Sequence, residues 1–510
     1  MKRSLCFVAF YCVFSVATTS LYARDFANQV KVIPLAERIE YSNMLFGQFI
    51  EHFHTQIYGG IFEPGSRFSD ESGFRTDVIE ALRELKVPIV RWPGGCFVSS
   101  YHWMDGIGKE RYSVYDKAWQ VEEPNTFGTD EFVAWCRKIS AEPFICTNAG
   151  TGTPEEMSDW VEYCNLNFGK FGRMRQENGH QEPFNVKYWS VGNENWGGFE
   201  IGAKTVGEWG PFVCESSKLM RAVSHDLKLF AAATSSRDWT LPMLRAAGGW
   251  LDYVSIHCYW ASFTPYMECM MKTDGPQQQI EQTIKILDES GYRGKIKIAF
   301  DEWNLRGWHH PGHGNFRGRM DIEARDRNNI NSTYTMADAL FSACFLNACL
   351  RNAKDVEIAC FSPIVNTRGA IFVHPNGIVK RTSFHTFKMY ANMLEKLVVP
   401  LAQSVEQIKD GKNTTSVLDV VLTGNENGTR FVYAAVNKHP EKEITLALDF
   451  EGIGKKTPKQ LQGTILSGNS PDDYNDIGAE NRVVPRDITF TVKDGAVIIP
   501  PHSLVFLMIE

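Results

Sequence analysis

Between residues 41 and 396, short apolar, β-rich runs alternate with helical patterns, and the alternation repeats eight times. The runs are MLFGQFI, VPIVRW, EPFICTN, VKYWSVG, LKLFAAAT, YVSIHCY, IKIAFDEW and VEIACFSPIV. Their near-continuous apolar character marks strands buried on both faces, as in a parallel sheet. The intervening segments carry apolar residues at helical spacing: TDVIEALRELK, TDEFVAWCRKI and TPEEMSDWVEYCN, then 206–229, TLPMLRAAG, 277–289, 331–351 and 386–396. Thr76 and Asp77 offer N-terminal capping chemistry to the first of these. Eight strand–helix units predict an α/β chain folded as a closed (β/α)8 TIM barrel. The competing architecture is an open doubly wound sheet, and no glycine-rich phosphate loop follows the first strand to support it. The span exceeds the ~250 residues typical of such a barrel, so long βα loops are required. Residues 101–125 and 306–327 are the plainest of them.

After residue 397 helical periodicity stops and short alternating runs take over: TSVLDVVLTG, TRFVYAAVNK, EITLALDF, KQLQGTILSG, DITFTVKDG and AVIIPPHSLVFLMIE. Turn residues such as Asn427–Gly428 and Asp494–Gly495 separate them, which predicts a C-terminal antiparallel β-sandwich over 397–510. QVKVIPLAERI, within 24–40, is expected to add a strand to that sandwich. Ahead of it, Lys2 and Arg3 precede an apolar run from Leu5 to Val16 that ends in small residues and Ala23. This is the layout of a secretory signal peptide over 1–23, and the run is too short to span a bilayer. The mature chain is therefore expected to be exported, periplasmic or secreted, and to carry no membrane span.

A net charge of −7 without long single-sign runs argues against a nucleic-acid partner. Of twelve Cys residues, ten lie between Cys96 and Cys360, mostly inside apolar patterns such as FICTN, SIHCYW and FSACFLNACL. They read as buried small hydrophobes rather than a disulfide framework, and none has the CxxC spacing of a zinc site.

Active sites of such barrels lie at the C-terminal ends of the strands. Strand one ends in Glu51, His52 and His54, and strand two in Arg91, Trp92 and Pro93–Gly94–Gly95–Cys96. Strand three ends in Thr147 and Asn148, and strand four in Asn193, Glu194, Asn195 and Trp196. Strand six carries His257 and Tyr259, strand seven ends in Asp301, Glu302, Trp303 and Asn304, and Asn366 and Arg368 follow strand eight. Alone, each has a bland explanation: a solvated loop carboxylate, a surface ion pair, a core histidine. Gathered at one face, they point to shared chemistry. Glu194 and Glu302 each close a buried strand, where a carboxylate is poorly solvated and costly to keep. Glycoside hydrolysis asks for two carboxyl groups, one protonated and one ionised, and no nucleotide or metal. Arg91 and Tyr259 can hold one of them ionised, and Asn193 can donate to a sugar hydroxyl. Flat rings such as Trp196 and Trp303 suit the C–H faces of a sugar. Strand alternation is expected to turn Asp301 away from the face that Glu302 occupies. His309, His310 and His313 fit no standard metal-ligand spacing, so no metal is expected there.

In this order and spacing, FGQFIEHFHTQIYGGIFEP, VRWPGGCFVSSYHWMDGIG, YWSVGNENWG, SIHCYW and AFDEWN resemble glycoside hydrolase family 51, composed mainly of retaining α-L-arabinofuranosidases. The resemblance runs from about residue 30 to the end. It implies a double displacement with Glu194 as general acid/base and Glu302 as nucleophile. It further implies that Glu51, Arg91, Asn193, His257 and Tyr259 bind the arabinofuranosyl unit or orient the carboxylates. Cys96 stands where members carry Asn or Cys and is expected to touch the substrate. Many members place a sugar-contacting glutamine after strand eight, where this chain has Arg381 in GIVKRTSFH. An arabinose-containing polysaccharide or oligosaccharide as substrate, and homo-oligomers, often hexamers, are also implied. The rival readings are a β-glycosidase or endoglucanase of the same clan and a non-catalytic glycan-binding protein.

Overall fold

The computed structural model describes residues 26–261, 264–307 and 327–510. The leader expected over 1–23 and the histidines at 309, 310 and 313 lie outside the described residues. Eight strands close into a barrel: Gly47–Phe49, Ile89–Trp92, Glu142–Thr147, Tyr188–Val191, Lys228–Ala232, Tyr253–Ala261, Lys297–Arg306 and Val356–Phe361. Every neighbouring pair is parallel, and strand eight closes on strand one through Cys360 opposite Gly47. Helices Thr76–Glu84, Thr129–Ile139, Pro154–Asn165, Val206–Val223, Arg237–Ala247, Gly275–Ser290, Met336–Arg351 and Thr382–Met393 return the chain outside. The (β/α)8 expectation holds. Parallel strands need such crossovers, and each helix covers a strand face that would otherwise meet water.

Two short helices, Gly169–Glu177 and Tyr266–Met270, have no counterpart in the sequence reading. The first is polar and contains two glycines, and the second is only five residues long, so neither offers a periodic run long enough to read. The cap at Thr76 also differs. Arg75 is the capping position without a side-chain bond, and Thr76 is the first helical residue.

The C-terminal part is rich in antiparallel strands. One sheet of four takes Leu401–Ser404, Gln29–Val32, Ile444–Ala447 and Ala496–Ile499, and one of seven runs from Ile39–Glu40 through Leu397–Val399 to Arg486–Thr491. Val30, Val420, Leu422, Tyr433, Leu446, Val497, Val505 and Leu507 share one apolar core between them. Gln29–Val32 pairs with Leu401–Ser404 antiparallel, and its neighbour on the other side is Ile444–Ala447. Helix Met336–Arg351 is buried along its whole length up to Leu350, which explains its apolar character all round. Its end is tied to the sandwich by Asn347 and Arg351, which donate to Asp419 at 3.0 and 2.6 Å. The ten cysteines from Cys96 to Cys360 are all free thiols, seven of them buried.

Candidate active site

Strand four ends at Val191, and the chain turns at Gly192 and Glu194, whose φ values are +71° and +45°. A left-handed glutamate is strained by of order 1–3 kcal/mol, and such strain persists where surrounding structure enforces it, commonly at functional sites. Glu194 Oε1 lies 3.0 Å from His257 Nδ1, and the side chain is 13% exposed.

Glu302 is held more tightly. Arg91 Nη1 donates to Oε2 at 2.7 Å, Tyr259 donates to Oε1 at 2.6 Å, and His257 Nδ1 stands 3.6 Å from Oε2. Burial alone would raise its pKa. The charges of His257 and Arg91 and the two donated bonds outweigh burial and hold the carboxyl below the usual range. His257 is the bridge. Burial would strip its proton, but Glu302, Asp301 and Glu194 outweigh burial and push it up to about 10, which favours the imidazolium.

One oxygen of Glu194, one ring nitrogen of His257 and one oxygen of Glu302 lie within 4.8 Å of one another. Such a trio can hold a metal ion by geometry. Arg91, with Nη1 2.7 Å from Glu302 Oε2, already supplies a cation to that carboxylate.

Asp301 does not follow the alternation. Ser255 faces Ala299 and His257 faces Glu302, so strand seven advances three residues while strand six advances two. Phe300 opposite Ala359 and Trp303 opposite Phe361 show the same extra residue from the other side. This β-bulge turns Asp301 and Glu302 both inward. Asp301 lies deeper, accepting from Ser255 at 2.6 Å, with Arg91 Nε at 3.3 Å and His257 Nε2 at 3.5 Å. It anchors the two cations that in turn hold Glu302.

Trp303 is a correction. It is fully buried, stacked on Phe345 with ring centroids 3.4 Å apart, between strand seven and the helix behind it. The bulge ends before Trp303, so this ring packs in the wall rather than against substrate. Trp196 stays on the Glu194 loop, half-buried and edge-on to Phe199 at 5.8 Å. Arg381 is taken up by the frame. It is fully buried, donating to Asn331 Oδ1 and the carbonyls of Thr367 and Gly369, with its guanidinium over Tyr334.

Glu51 accepts on Oε1 from the N–H groups of Gly95 and Phe97 and from Trp119 Nε1 at 3.0–3.1 Å. Burial, then Glu302, pushes its carboxyl up to about 8. Gly94 has φ +150°, and a Cβ there would fall 2.3 Å from Glu51 Cγ, which explains the glycine in RWPGGC. Cys96 is half-buried, its thiol pushed up by burial and by Glu200, Glu51 and Glu194 around it. Asn193 accepts from Arg91 Nη2 at 2.7 Å. Tyr259 is held by Ser362 at 2.9 Å and lies under Arg368 at 4.4 Å.

The other polar residues at the strand ends build the frame. His52 lies between Trp92 Nε1 and Glu123, Thr147 bonds Ser190 O, Asn148 bonds Tyr101 O, Asn304 bonds Ser362 O, and Asn366 bonds Thr55. Sequence reasoning missed Trp119 and Glu200, both in loops without periodicity. Asp301 it considered and set aside.

Paired carboxyl groups at a barrel mouth, one held below the usual range and one on a strained loop after strand four, define the site as that of a glycoside hydrolase. Residues 81–273 match the family model described as α-L-arabinofuranosidase 1 domain, and 301–503 match the α-L-arabinofuranosidase C-terminal domain. The chain is 33% identical to α-L-arabinofuranosidase C of Emericella nidulans, over 91% of this chain and 94% of that protein. It is 32% identical to an intracellular exo-α-(1→5)-L-arabinofuranosidase of Acetivibrio thermocellus, over 88% and 92%. Among solved structures it resembles the arabinose complex of the Thermotoga maritima α-L-arabinofuranosidase, with a TM-score of 0.84, 31% identity, and 95% and 100% coverage. The chain belongs to the α-L-arabinofuranosidase family, glycoside hydrolase family 51.

Proposed function

We propose that this protein is a retaining, exo-acting α-L-arabinofuranosidase that releases terminal arabinofuranosyl residues from arabinan, arabinoxylan or their oligosaccharides. The observation that carries the reading is the approach of the two carboxyl groups, whose nearest oxygens lie within 4.8 Å. Retaining enzymes set the pair ~5–5.5 Å apart, and inverting enzymes leave ~6.5–9.5 Å for a water between them. The names of the relatives support the substrate class, and the Acetivibrio thermocellus relative supports exo-action.

In this reading ionised Glu302 attacks the anomeric carbon while Glu194 gives its proton to the departing glycosidic oxygen. His257 occupies Glu194 Oε1, and in this reading Oε2 carries the proton for the leaving group. The arabinosyl ester on Glu302 is then cleaved by a water that Glu194 deprotonates. Arg91 and Tyr259 stabilise the Glu302 carboxylate before attack and after release. Asn193 donates to the hydroxyl beside the reacting carbon, a bond that strengthens in an oxocarbenium-like transition state. The substrate contacts we assign are to Glu51, Cys96, Asn193 and Trp196. The positive n-region and short apolar run at the start of the chain support export to the periplasm or beyond, and we expect a homo-oligomer.

The test is a panel of p-nitrophenyl glycosides, with NMR of the first-formed sugar. Turnover of the α-L-arabinofuranoside with retained configuration is expected. Inverted product removes the nucleophile role from Glu302, and preference for a glucoside or xyloside moves the protein to the β-glycosidase reading. Glu302→Ala abolishes turnover on every substrate. Glu194→Ala costs least on activated leaving groups, which need little protonation, and equal losses on all leaving groups contradict its acid role.

A further inference from the structure

Glu200 is a further carboxyl group on the loop that carries Glu194, and the steps above leave it unused. It is 5% exposed. The loop folds back through two turns, Gly197 N–H to Glu194 O at 2.7 Å and Glu200 N–H to Gly197 O at 2.9 Å, returning Glu200 beside Asn193. Glu200 Oε2 accepts from Asn193 Nδ2 at 3.5 Å. On its other side lie the Ser99 hydroxyl and the Cys96 thiol, from the segment after strand two. Burial pushes its carboxyl up to about 7, so near neutral pH it adds only a fractional charge beside Glu194 and Glu302.

The amide between these groups has one permitted orientation. Arg91 is a pure donor, so the Asn193 oxygen must face Nη2. The NH2 group then faces Glu200, an acceptor, with one hydrogen directed to Oε2. The second hydrogen is left for another acceptor. We propose that Glu200 is a positioning residue that acts through Asn193, locking its amide so that the second N–H meets the sugar hydroxyl beside the reacting carbon. This rests on the reading of the mouth as an arabinofuranosyl site.

The experiment compares Glu200→Ala, Glu200→Gln, Asn193→Ala and the double variant Asn193→Ala/Glu200→Ala on arabinofuranosides with nitrophenyl and poorer leaving groups, with melting curves alongside. Misplacing one transition-state donor is expected to lower kcat of Glu200→Ala about 10- to 100-fold. The loss is equal on good and poor leaving groups, because the hydroxyl bond serves both steps, and KM stays within about 3-fold. Glu200→Gln keeps an acceptor oxygen in place and stays within about 3-fold of wild type. Adding Glu200→Ala to Asn193→Ala costs less than about 3-fold more, because the two share one interaction. If the alanine variant does not fold, Glu200→Met fills the volume without an acceptor and carries the same expectations. Wild-type kcat in Glu200→Ala, fully multiplicative losses in the double variant, or equal damage from Gln and Ala each overturn the proposal. Wild type and Glu302→Ala are the references. A wild type inert on arabinofuranosides fails the site reading itself, whereas an active wild type with a flat Glu200 series removes only this assignment.

Discussion

Tyr259→Phe removes the phenol bond to Glu302, together with the contact of the same hydroxyl to Ser362 at 2.9 Å. The phenol donates to Glu302 Oε1 at 2.6 Å, while the ring lies under the Arg368 guanidinium at 4.4 Å. Phenylalanine keeps the ring and deletes the donor. A hydrogen bond to an ionised group contributes about 1.5–3 kcal/mol. Since 1.36 kcal/mol corresponds to one pH unit of titration, its loss moves the ionisation of Glu302 upward by about 1–2 pH units. The same shift has a stability sign. A carboxyl held below its unfolded value of 4.5 contributes stability above that pH, lost as pH falls through the folded value. The variant raises the folded value and gives up part of that contribution. The assay is kcat/KM against pH on p-nitrophenyl α-L-arabinofuranoside, whose acidic limb reports the base form of the free enzyme. The limb is expected to move up by about 1–2 pH units, with the plateau above it recovering to within about 10-fold of wild type. A folded variant with an unmoved acidic limb refutes the argument, because Arg91 and His257 would then set the ionisation of Glu302 without the phenol.

Trp303→Ala should cost about 3–5 kcal/mol by emptying the wall behind strand seven, while KM of the folded fraction stays unchanged. A raised KM with little loss of stability would return Trp303 to the substrate. Glu51→Gln tests burial of charge. A carboxyl raised to about 8 binds its proton more tightly in the folded state, so the wild type loses stability as pH rises from 4.5 to about 8 and levels off above. The melting temperature of the glutamine variant relative to wild type should climb over that window, and a constant difference would contradict the buried, proton-retaining carboxyl.

The barrel was legible because each strand is apolar on both faces and most helices on one, Met336–Arg351 being apolar all round, and burial of this kind writes a plain pattern. Glu194 and Glu302 were legible because a carboxylate is costly beside such a buried apolar run, although strand seven continues past Glu302 to Arg306. What escaped depends on departures from periodicity. The extra residue between Phe300 and Trp303 brings Asp301 to the inner face and leaves Trp303 in the wall, and composition does not encode a bulge. Trp119 reaches Glu51 from the 101–125 loop, whose length was evident but whose path was not. Arg381 stands where many members carry a sugar-contacting glutamine, and its donors are taken by Asn331 Oδ1 and by carbonyls of the frame. Glu200 sits six residues beyond Glu194 on two successive turns that carry no distinguishing pattern.

Gln29–Val32 lies between Leu401–Ser404 and Ile444–Ala447 in the smaller sheet. The catalytic barrel is thus threaded into its companion domain like a bead, with cord on either side. During synthesis the leading strand leaves the ribosome long before the partners that will flank it, and it must wait unpaired while the entire barrel is made. Domains generally fold as units in order of emergence, so the companion domain is completed last. Cleavage at the exposed Leu35, between the two short N-terminal strands, would leave an interior strand of the smaller sheet held by noncovalent contacts alone, among them its pairing and Val30 in the core.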